Sequence, residues 1–454
     1  MSHAKFYYWT RWMLEKRKLN GRVKIRIVEG SSLPPEVLNR RWPRIGGLDE
    51  ELAKRVEKII HEVKLRGDPA LIELEEKFDG AKLSPDKLRV NREDIEKAYE
   101  KTSSRLISAI EYSKSRIEEF QKEILNHLRF TYKKEGLQIC SCISPIRRVG
   151  CYIPGGAAPY PSTLVMTTTP AKVAGVKEIA IASPPRCKGE INHSILVAAD
   201  ICGVDEIYRI GGVQAIAALA YGTQSIRPVE KIVGPGNRYV QAAKILISRD
   251  RPIDFPAGPS EIFVIADDSA DPRLIALDMI SQAEHVDASS ILVTSSRRLA
   301  KTVIDALEKT VESAPNKEIV YENLSRNGLV LICESLEKAV RAANDFAPEH
   351  LEIMTENAWE IAEKITSAGL VLVRENTPVA ASDYCLGTIH VLPTGGFSHV
   401  YSSLSVLDFV KRFCIVEASK DRLMEDWRSV KALAESEDLI NHILAVEGRF
   451  TDEE

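Results

Sequence analysis

Four of the chain's nine histidines lie in short segments that also carry a carboxylate or an amide, and these groupings are where chemistry could occur. They are Ser281-Gln282-Ala283-Glu284-His285, Ala347-Pro348-Glu349-His350, Ser382-Asp383-Tyr384 with His390 closing it, and Glu437-Asp438-Leu439-Ile440-Asn441-His442. Gln282 and His285 are three apart near the end of a helix predicted to start around Pro272, so both side chains project from one face. An imidazole nitrogen and an amide oxygen suit zinc or manganese, and Asp383 and His442 would complete an N₂O₂ set lacking thiolate. Taken alone, a capped helix end explains Gln282 and His285 more simply. Glu349-His350 follows a proline that ends a helix, which leaves an acid and an imidazole side by side on a loop. An imidazole can take a proton from an alcohol, and a carboxylate can orient and deprotonate water. A single Glu-His pair is otherwise ordinary surface. The clustering of all four points to a buried polar site and a metal-dependent enzyme.

Two turns could hold an anion. Backbone amides at Pro154-Gly155-Gly156 and Gly234-Pro235-Gly236-Asn237 each follow a predicted strand and could cradle a pyrophosphate or a carboxylate. Neither is a G-x-G-x-x-G fingerprint, and structural turns account for both, so the glycines alone do not establish a dinucleotide.

The elements that must position these residues follow from the apolar pattern. From Gly46 to about Leu128 the pattern is helical, with Leu48, Leu52, Val56, Ile59, Ile60 and Val63 on one face and a break at Gly67-Asp68-Pro69. Between Arg147 and about Arg249, strand-like runs Val149–Ile153, Glu178–Ala182, Glu206–Ile210 and Lys231–Val233 each precede a helical stretch. The rhythm repeats with Ile262–Ala266, Ser290–Thr294, Leu329–Ile332, Leu351–Met354 and Leu370–Val373. Alternation of this kind predicts an α/β fold of two tandem Rossmann-like parallel-sheet units, with ligands at the carboxyl ends of strands. The expected division is an N-terminal extension over 1–45, a helical lead-in over 46–130 packing on the second unit, a first unit over 143–255, a second over 256–395 and a helical C-terminal arm over 396–454. After about Gly396 the pattern reads as helical and isolated from either sheet. Because the arm carries His442, it must fold back over a site in its own subunit or a neighbour.

With 454 residues, the chain has material for about two to three domains. Hydrophobic residues at 44%, charged residues at 28% and a net charge of −4 describe a globular protein with no bias toward nucleic acid. Eight cysteines are scattered without paired CxxC spacing, as expected of thiols in a reducing compartment. Cys140-Ser141-Cys142 could place two thiols on one strand face, but alternation with apolar neighbours favours packing. No apolar run reaches the roughly 18 residues of a membrane helix and no signal peptide opens the chain, so the expectation is cytoplasmic. The aromatic stretch Phe6–Trp12, followed by Lys16-Arg17-Lys18, reads as an arm packing on a partner subunit rather than as a membrane contact.

Several segments together resemble histidinol dehydrogenase: Val149-Gly-Cys-Tyr-Ile-Pro-Gly-Gly, Gly211-Gly-Val-Gln-Ala-Ile-Ala-Ala-Leu-Ala, Val233-Gly-Pro-Gly-Asn, Ala257-Gly-Pro-Ser-Glu, Ser281-Gln-Ala-Glu-His, Ala347-Pro-Glu-His-Leu and His390-Val-Leu-Pro-Thr. The match runs in order from about residue 46 to 449. This resemblance implies an NAD-dependent, zinc-containing homodimer that oxidises L-histidinol through L-histidinal to L-histidine, the last steps of histidine biosynthesis. By position it makes Gln282, His285, Asp383 and His442 zinc ligands that hold the substrate's amino and imidazole nitrogens. It makes Ser260, His390 and Glu437 further substrate contacts, with His390 and Glu437 reaching across the dimer and Ser162 a weaker candidate. Tyr152, Gln214 and Asn237 match NAD contacts, His350 the base of the hydride steps and Glu349 the group that activates water. Two positions depart from the family: Ile389 stands where asparagine is expected before the histidine, and Asp438 where glycine usually follows the glutamate.

Other readings share part of this pattern. Relatives that oxidise polyols or sulfonated diols share the metal and base without the full imidazole-binding set, and retention of His390 and Glu437 favours histidinol. A zinc hydrolase would use Glu349 on a metal-bound water and need no nucleotide. A bilobal binding protein would leave Glu349-His350 without a purpose.

Overall fold

The computed structural model describes residues 24–39, 49–155, 158–186 and 189–450. The aromatic segment Phe6–Trp12, the 45/46 boundary, Gly156 and Cys187 lie outside them. All nine predicted strand runs are strands, with ends shifted by at most two residues. Within a parallel sheet, strands covered on both faces read as continuous apolar runs, and for that reason sequence alone locates them.

The first sheet comprises β4 (Arg148–Tyr152), β5 (Glu178–Ala182), β6 (Glu206–Tyr208) and β7 (Lys231–Val233) in the order β6-β5-β4-β7, all parallel. The second comprises β8 (Glu261–Ala266), β9 (Ser289–Thr294), β10 (Leu329–Ile332), β11 (His350–Met354) and β12 (Leu370–Val373). Its order is β10-β9-β8-β11-β12, again parallel. In each unit the chain starts in the middle, winds one way and then reverses, so a switch point lies beside the first strand. That point falls between β4 and β7 in one sheet and between β8 and β11 in the other.

Three expectations require correction. First, the lead-in packs on the first unit and not on the second. The stripe Val56, Ile60 and Val63 of helix Glu50–Arg66 is buried with Ala215, Ile216 and Leu219 of helix Gly212–Tyr221. The alanines there leave a shallow groove into which a second helix settles. Helix Ser104–Asn126 likewise lies against helix Pro161–Ala174. Second, the division drawn at 45 does not separate the N-terminal extension from the second unit, since β1 (Arg26–Glu29) adds to the edge of the second sheet beside β10.

Third, the region after Gly396 is neither all helical nor isolated. Leu404, Val406 and Phe409 are buried in the first unit's core with Ile389 and Val391. Then β13 (Val410–Ala418) pairs antiparallel with β3 (Leu137–Pro145), which pairs with β2 (Phe130–Lys134). Helices Lys420–Ser436 and Ile440–Glu447 follow, and they leave Met424, Leu433, Ile440 and Leu444 exposed. Among the described residues no helix is long and apolar enough to cross a membrane.

Candidate active site

Glu261 opens β8 and His350 opens β11, adjacent parallel strands, so both stand at the amino-terminal edge of the second sheet. The two segments are tied reciprocally: the Glu261 N–H donates to Glu349 Oε2 at 2.7 Å and the Glu349 N–H donates to Glu261 Oε2 at 3.3 Å. Glu349 and His350 are both buried. His350 Nδ1 lies 3.3 Å from the Glu261 carbonyl oxygen and 3.6 Å from Glu349 Oε2. Both neighbours are acceptors, so Nδ1 carries a proton, while Nε2 faces Asp383 Oδ1 at 3.5 Å and is the nitrogen that must give up its proton before the ring can act as a base. Burial works to lower the basicity of this ring, but Glu349 and Asp383 outweigh it and lift its pKa to about 10. Burial raises Glu349 as well, so the pair keeps one proton, held on the ring that has carboxylates on both sides.

Asp383 caps the end of the short helix Val379–Ser382, and its Oδ1 is 3.5 Å from His350 Nε2. Burial pushes its pKa up, yet His350, with His390 and His285 behind it, holds it below the usual carboxylate value. His285 follows helix Pro272–Ala283, and Asn323 Nδ2 fixes that turn by donating to the carbonyls of Ala283 and His285 at 2.8 and 2.6 Å. Gln282 is buried one turn back. Ser260 immediately precedes β8, where its carbonyl accepts from the Ser289 N–H at 3.0 Å.

Three buried polar atoms have no hydrogen-bond partner at this place: Gln282 Oε1, Asp383 Oδ1 and His350 Nε2. Orphans of this kind cost free energy unless a ligand meets them. An amide oxygen, a carboxylate oxygen and the nearby His285 imidazole form a donor set that suits zinc. The structure does not bring His442 or Glu437 to this group. Both are exposed on the C-terminal arm, and no cluster of three or more His, Cys, Asp or Glu fit for a metal occurs among the described residues. His390, expected to reach a second subunit, is engaged within its own chain. Its Nδ1 lies 3.0 Å from the Asp383 carbonyl and its Nε2 3.0 Å from Thr163 Oγ1 on helix Pro161–Ala174, which also carries Ser162.

The other predicted residues gather at the carboxyl edge of the first sheet, around a cavity of about 860 Å³ lined by Tyr152, Gln214 and Asn237. The Tyr152 hydroxyl accepts the Gly212 N–H at 3.1 Å. Gln214 Nε2 and the Gly211 N–H both donate to Glu75 Oε1 at 2.8 Å. Asn237 Oδ1 caps helix Arg238–Ile247. Gly234 has φ +116°, and a Cβ there would lie 2.3 Å from the Tyr152 carbonyl, so only glycine lets β7 turn so close to β4. Lys244, buried against Asp254, holds the Gly234 carbonyl at 2.8 Å. None of the second sheet's cluster lines this cavity, and Tyr160 is among the residues that do.

Comparison with known proteins decides the family. Residues 45–450 match the family model described as histidinol dehydrogenase. The chain belongs to the histidinol dehydrogenase family. A histidinol dehydrogenase from Methanopyrus kandleri is 45% identical over 88% of this chain and 94% of its own. One from Clostridium acetobutylicum is 42% identical over 94% and 99%. The crystal structure of histidinol dehydrogenase from Elizabethkingia anophelis superposes with a TM-score of 0.89 at 35% identity, covering 94% of this chain and 98% of that one. Membership makes the chain an oxidoreductase of histidine biosynthesis.

Sequence reasoning missed Glu75, Glu261 and Thr163, which hold Gln214, Glu349 and His390 in place. Glu261 had a signal, a charge opening an otherwise apolar strand run, whereas Glu75 reads as one more acid on an amphipathic helix. The two family departures find local explanations. Ile389 is buried in the first unit's core, and Asp438 has φ +58°, the left-handed region that glycine occupies freely and aspartate tolerates.

Proposed function

We propose that the protein oxidises L-histidinol to L-histidinal and then to L-histidine, passing one hydride at each step to NAD. The carrying observation is the buried cluster in which His350 lies between Glu349 and Asp383, at 3.6 and 3.5 Å, with Gln282 Oε1 buried and without a hydrogen bond. Gln282, His285 and Asp383 would hold zinc, with His442 as the fourth ligand. Bound zinc would supply a fixed positive charge that anchors the substrate's amino and imidazole nitrogens. That charge beside Asp383 opposes the pull that lifts His350, and moves its pKa toward the working range of a base.

His350, with Nδ1–H fixed by the Glu261 carbonyl, takes the hydroxyl proton on Nε2 as the carbinol hydride leaves. Glu349 then orients and deprotonates water for attack on the aldehyde, and His350 accepts a proton again in the second hydride step. Ser260, His390 and Glu437 orient the imidazole end of the substrate. NAD, when bound, supplies the hydride acceptor; Tyr152, Gln214 and Asn237 hold it at the first sheet's carboxyl edge.

A second copy of the chain completes the site. In one chain His442 and Glu437 face away from the cluster, while Leu433, Ile440 and Leu444 of the arm and Phe413, Ile415 and Val416 of β13 expose apolar surface. Exchange of arms between two copies covers this surface and delivers both residues to the partner's site. Unpaired thiols such as buried Cys151 and Cys202 suit the cytoplasm.

The test is the stoichiometry of NADH and histidine formed from L-histidinol by zinc-loaded protein. Two NADH per histidine are expected, because alcohol to acid removes four electrons. Turnover of another polar alcohol with none of histidinol, or amide cleavage without NAD, would overturn the reading.

A further inference from the structure

A pair of carboxyl groups lies beneath the cluster and has no part in the chemistry above. Asp278 is on helix Pro272–Ala283, four residues before Gln282 and so on the same helix face. Glu352 is two residues beyond His350 on β11 and so on the same strand face, fully buried. The two carboxyl groups adjoin, each influencing the ionisation of the other. Glu352 Oε1 also accepts the Val379 N–H at 2.9 Å. Val379 begins the helical turn that ends at Asp383, whose own N–H returns to the Val379 carbonyl at 2.9 Å.

A single carboxyl pair therefore touches or adjoins all three segments that carry the site: the Gln282–His285 helix end, the His350 strand and the Asp383 turn. Glu352 Oε2 is buried and has no donor among its neighbours. Two carboxylates in contact cannot both stay ionised, and a shared proton supplies the missing donor. Burial raises both groups, and the charge of Asp278 raises Glu352 further, so the pair holds one proton between them.

We propose that the Asp278–Glu352 pair is a positioning joint that sets the spacing of Gln282, His350 and Asp383 and thereby the site's affinity for zinc. This rests on the zinc reading above. Hydrogen-bonded groups behind metal ligands commonly govern affinity by about 10- to 100-fold.

Zinc dissociation constants, measured by competition with a chelator, separate the joint from mere core filling. Glu352→Gln keeps an oxygen for the Val379 N–H and an N–H for Asp278, and is expected to bind zinc within about threefold of wild type. Glu352→Leu, similar in bulk but unable to make either bond, is expected to bind about 10- to 100-fold more weakly. NAD affinity, set at the other sheet, should be unchanged in both and reports folding. Should Glu352→Leu not fold, half-buried Asp278→Ala takes its place, with weakened zinc binding again expected. A folded Glu352→Leu or Asp278→Ala chain that holds zinc as tightly as wild type overturns the joint alone. Failure of the wild-type chain to hold zinc overturns the metal reading and the joint with it.

Discussion

The two parallel sheets share a winding order yet differ at the same edge. At the amino-terminal edge of the first sheet, Arg148 opens β4 and donates to Glu178 at 2.8 Å and Glu206 at 2.5 Å, the residues that open β5 and β6. Arg227 adds a bond to Glu206 at 3.0 Å. Cations balance the carboxylates there, and that foot is structural. At the corresponding edge of the second sheet, Glu261 and His350 open β8 and β11 with Glu349 just before the latter, and among the described residues no arginine or lysine pairs with Glu349. The difference is one of balance and not of topology: arginines pair the carboxylates at the first edge, whereas at the second Glu349 and Asp383 share a single buried imidazole. The carboxyl edge of the first sheet, where the cavity lies, follows the general rule for open α/β sheets. In the second unit the buried polar cluster lies instead at the amino-terminal edge.

The strongest way to break the comparison is at the second sheet's foot. His350→Asn should lower kcat by about 10²- to 10⁴-fold, the usual worth of a positioned base, with NAD affinity unchanged. Steady-state kinetics beside a nucleotide titration measure both, and undiminished turnover would remove His350 from the chemistry.

A second experiment asks whether another copy completes this foot. Chains carrying His350→Asn and chains carrying His442→Ala are each expected to be inactive. Co-expressed, they should recover about a quarter of wild-type activity, since half the dimers are mixed and each mixed dimer has one intact site. No recovery would place His442 in its own chain's site.

The first sheet's foot is tested by acid. Burial alone would raise Glu206, but bonds from Arg148, Tyr208 and Arg227 lower its pKa from 4.5 to about 2. Its folded-state value is depressed, so its contribution is full above the unfolded value and is lost as pH falls toward about 2. Glu206→Gln should flatten the acid limb of Tm against pH while leaving zinc binding intact. An unaltered limb would deny the network its structural role.

The smallest effect belongs to the arm. Asp438→Gly relieves a left-handed residue and should stabilise the protein by at most about 1 kcal/mol, read as a rise in denaturation midpoint at constant slope. A lower midpoint would show that the Asp438 side chain makes a contact that outweighs the relief.

Sequence reading recovered the elements that patterning controls. The nine core strands are continuous apolar runs, and Glu349, His350 and Asp383 lie in short motifs that the fold brings together, 3.6 Å from Glu349 to His350 and 3.5 Å from His350 to Asp383. It failed where patterning carries no information. β13, with Phe413, Ile415 and Val416 exposed, has no buried face in the single chain to impose alternation. The docking partner of the lead-in depends on the groove left by Ala215 and its neighbours, a property of a surface already folded. Glu352 sits inside Leu351-Glu352-Ile353-Met354, and a lone acid in a buried strand was the one visible trace of the carboxyl pair.

On the function proposed above, nucleotide and metal would be held at separate edges of separate sheets. Paired titrations of Gln214→Ala with NAD and with zinc test it most directly. The account predicts an NAD dissociation constant raised about tenfold, the worth of a lost hydrogen bond or two, with zinc affinity at the wild-type value. Loss of zinc together with NAD, or full retention of NAD affinity, would contradict it.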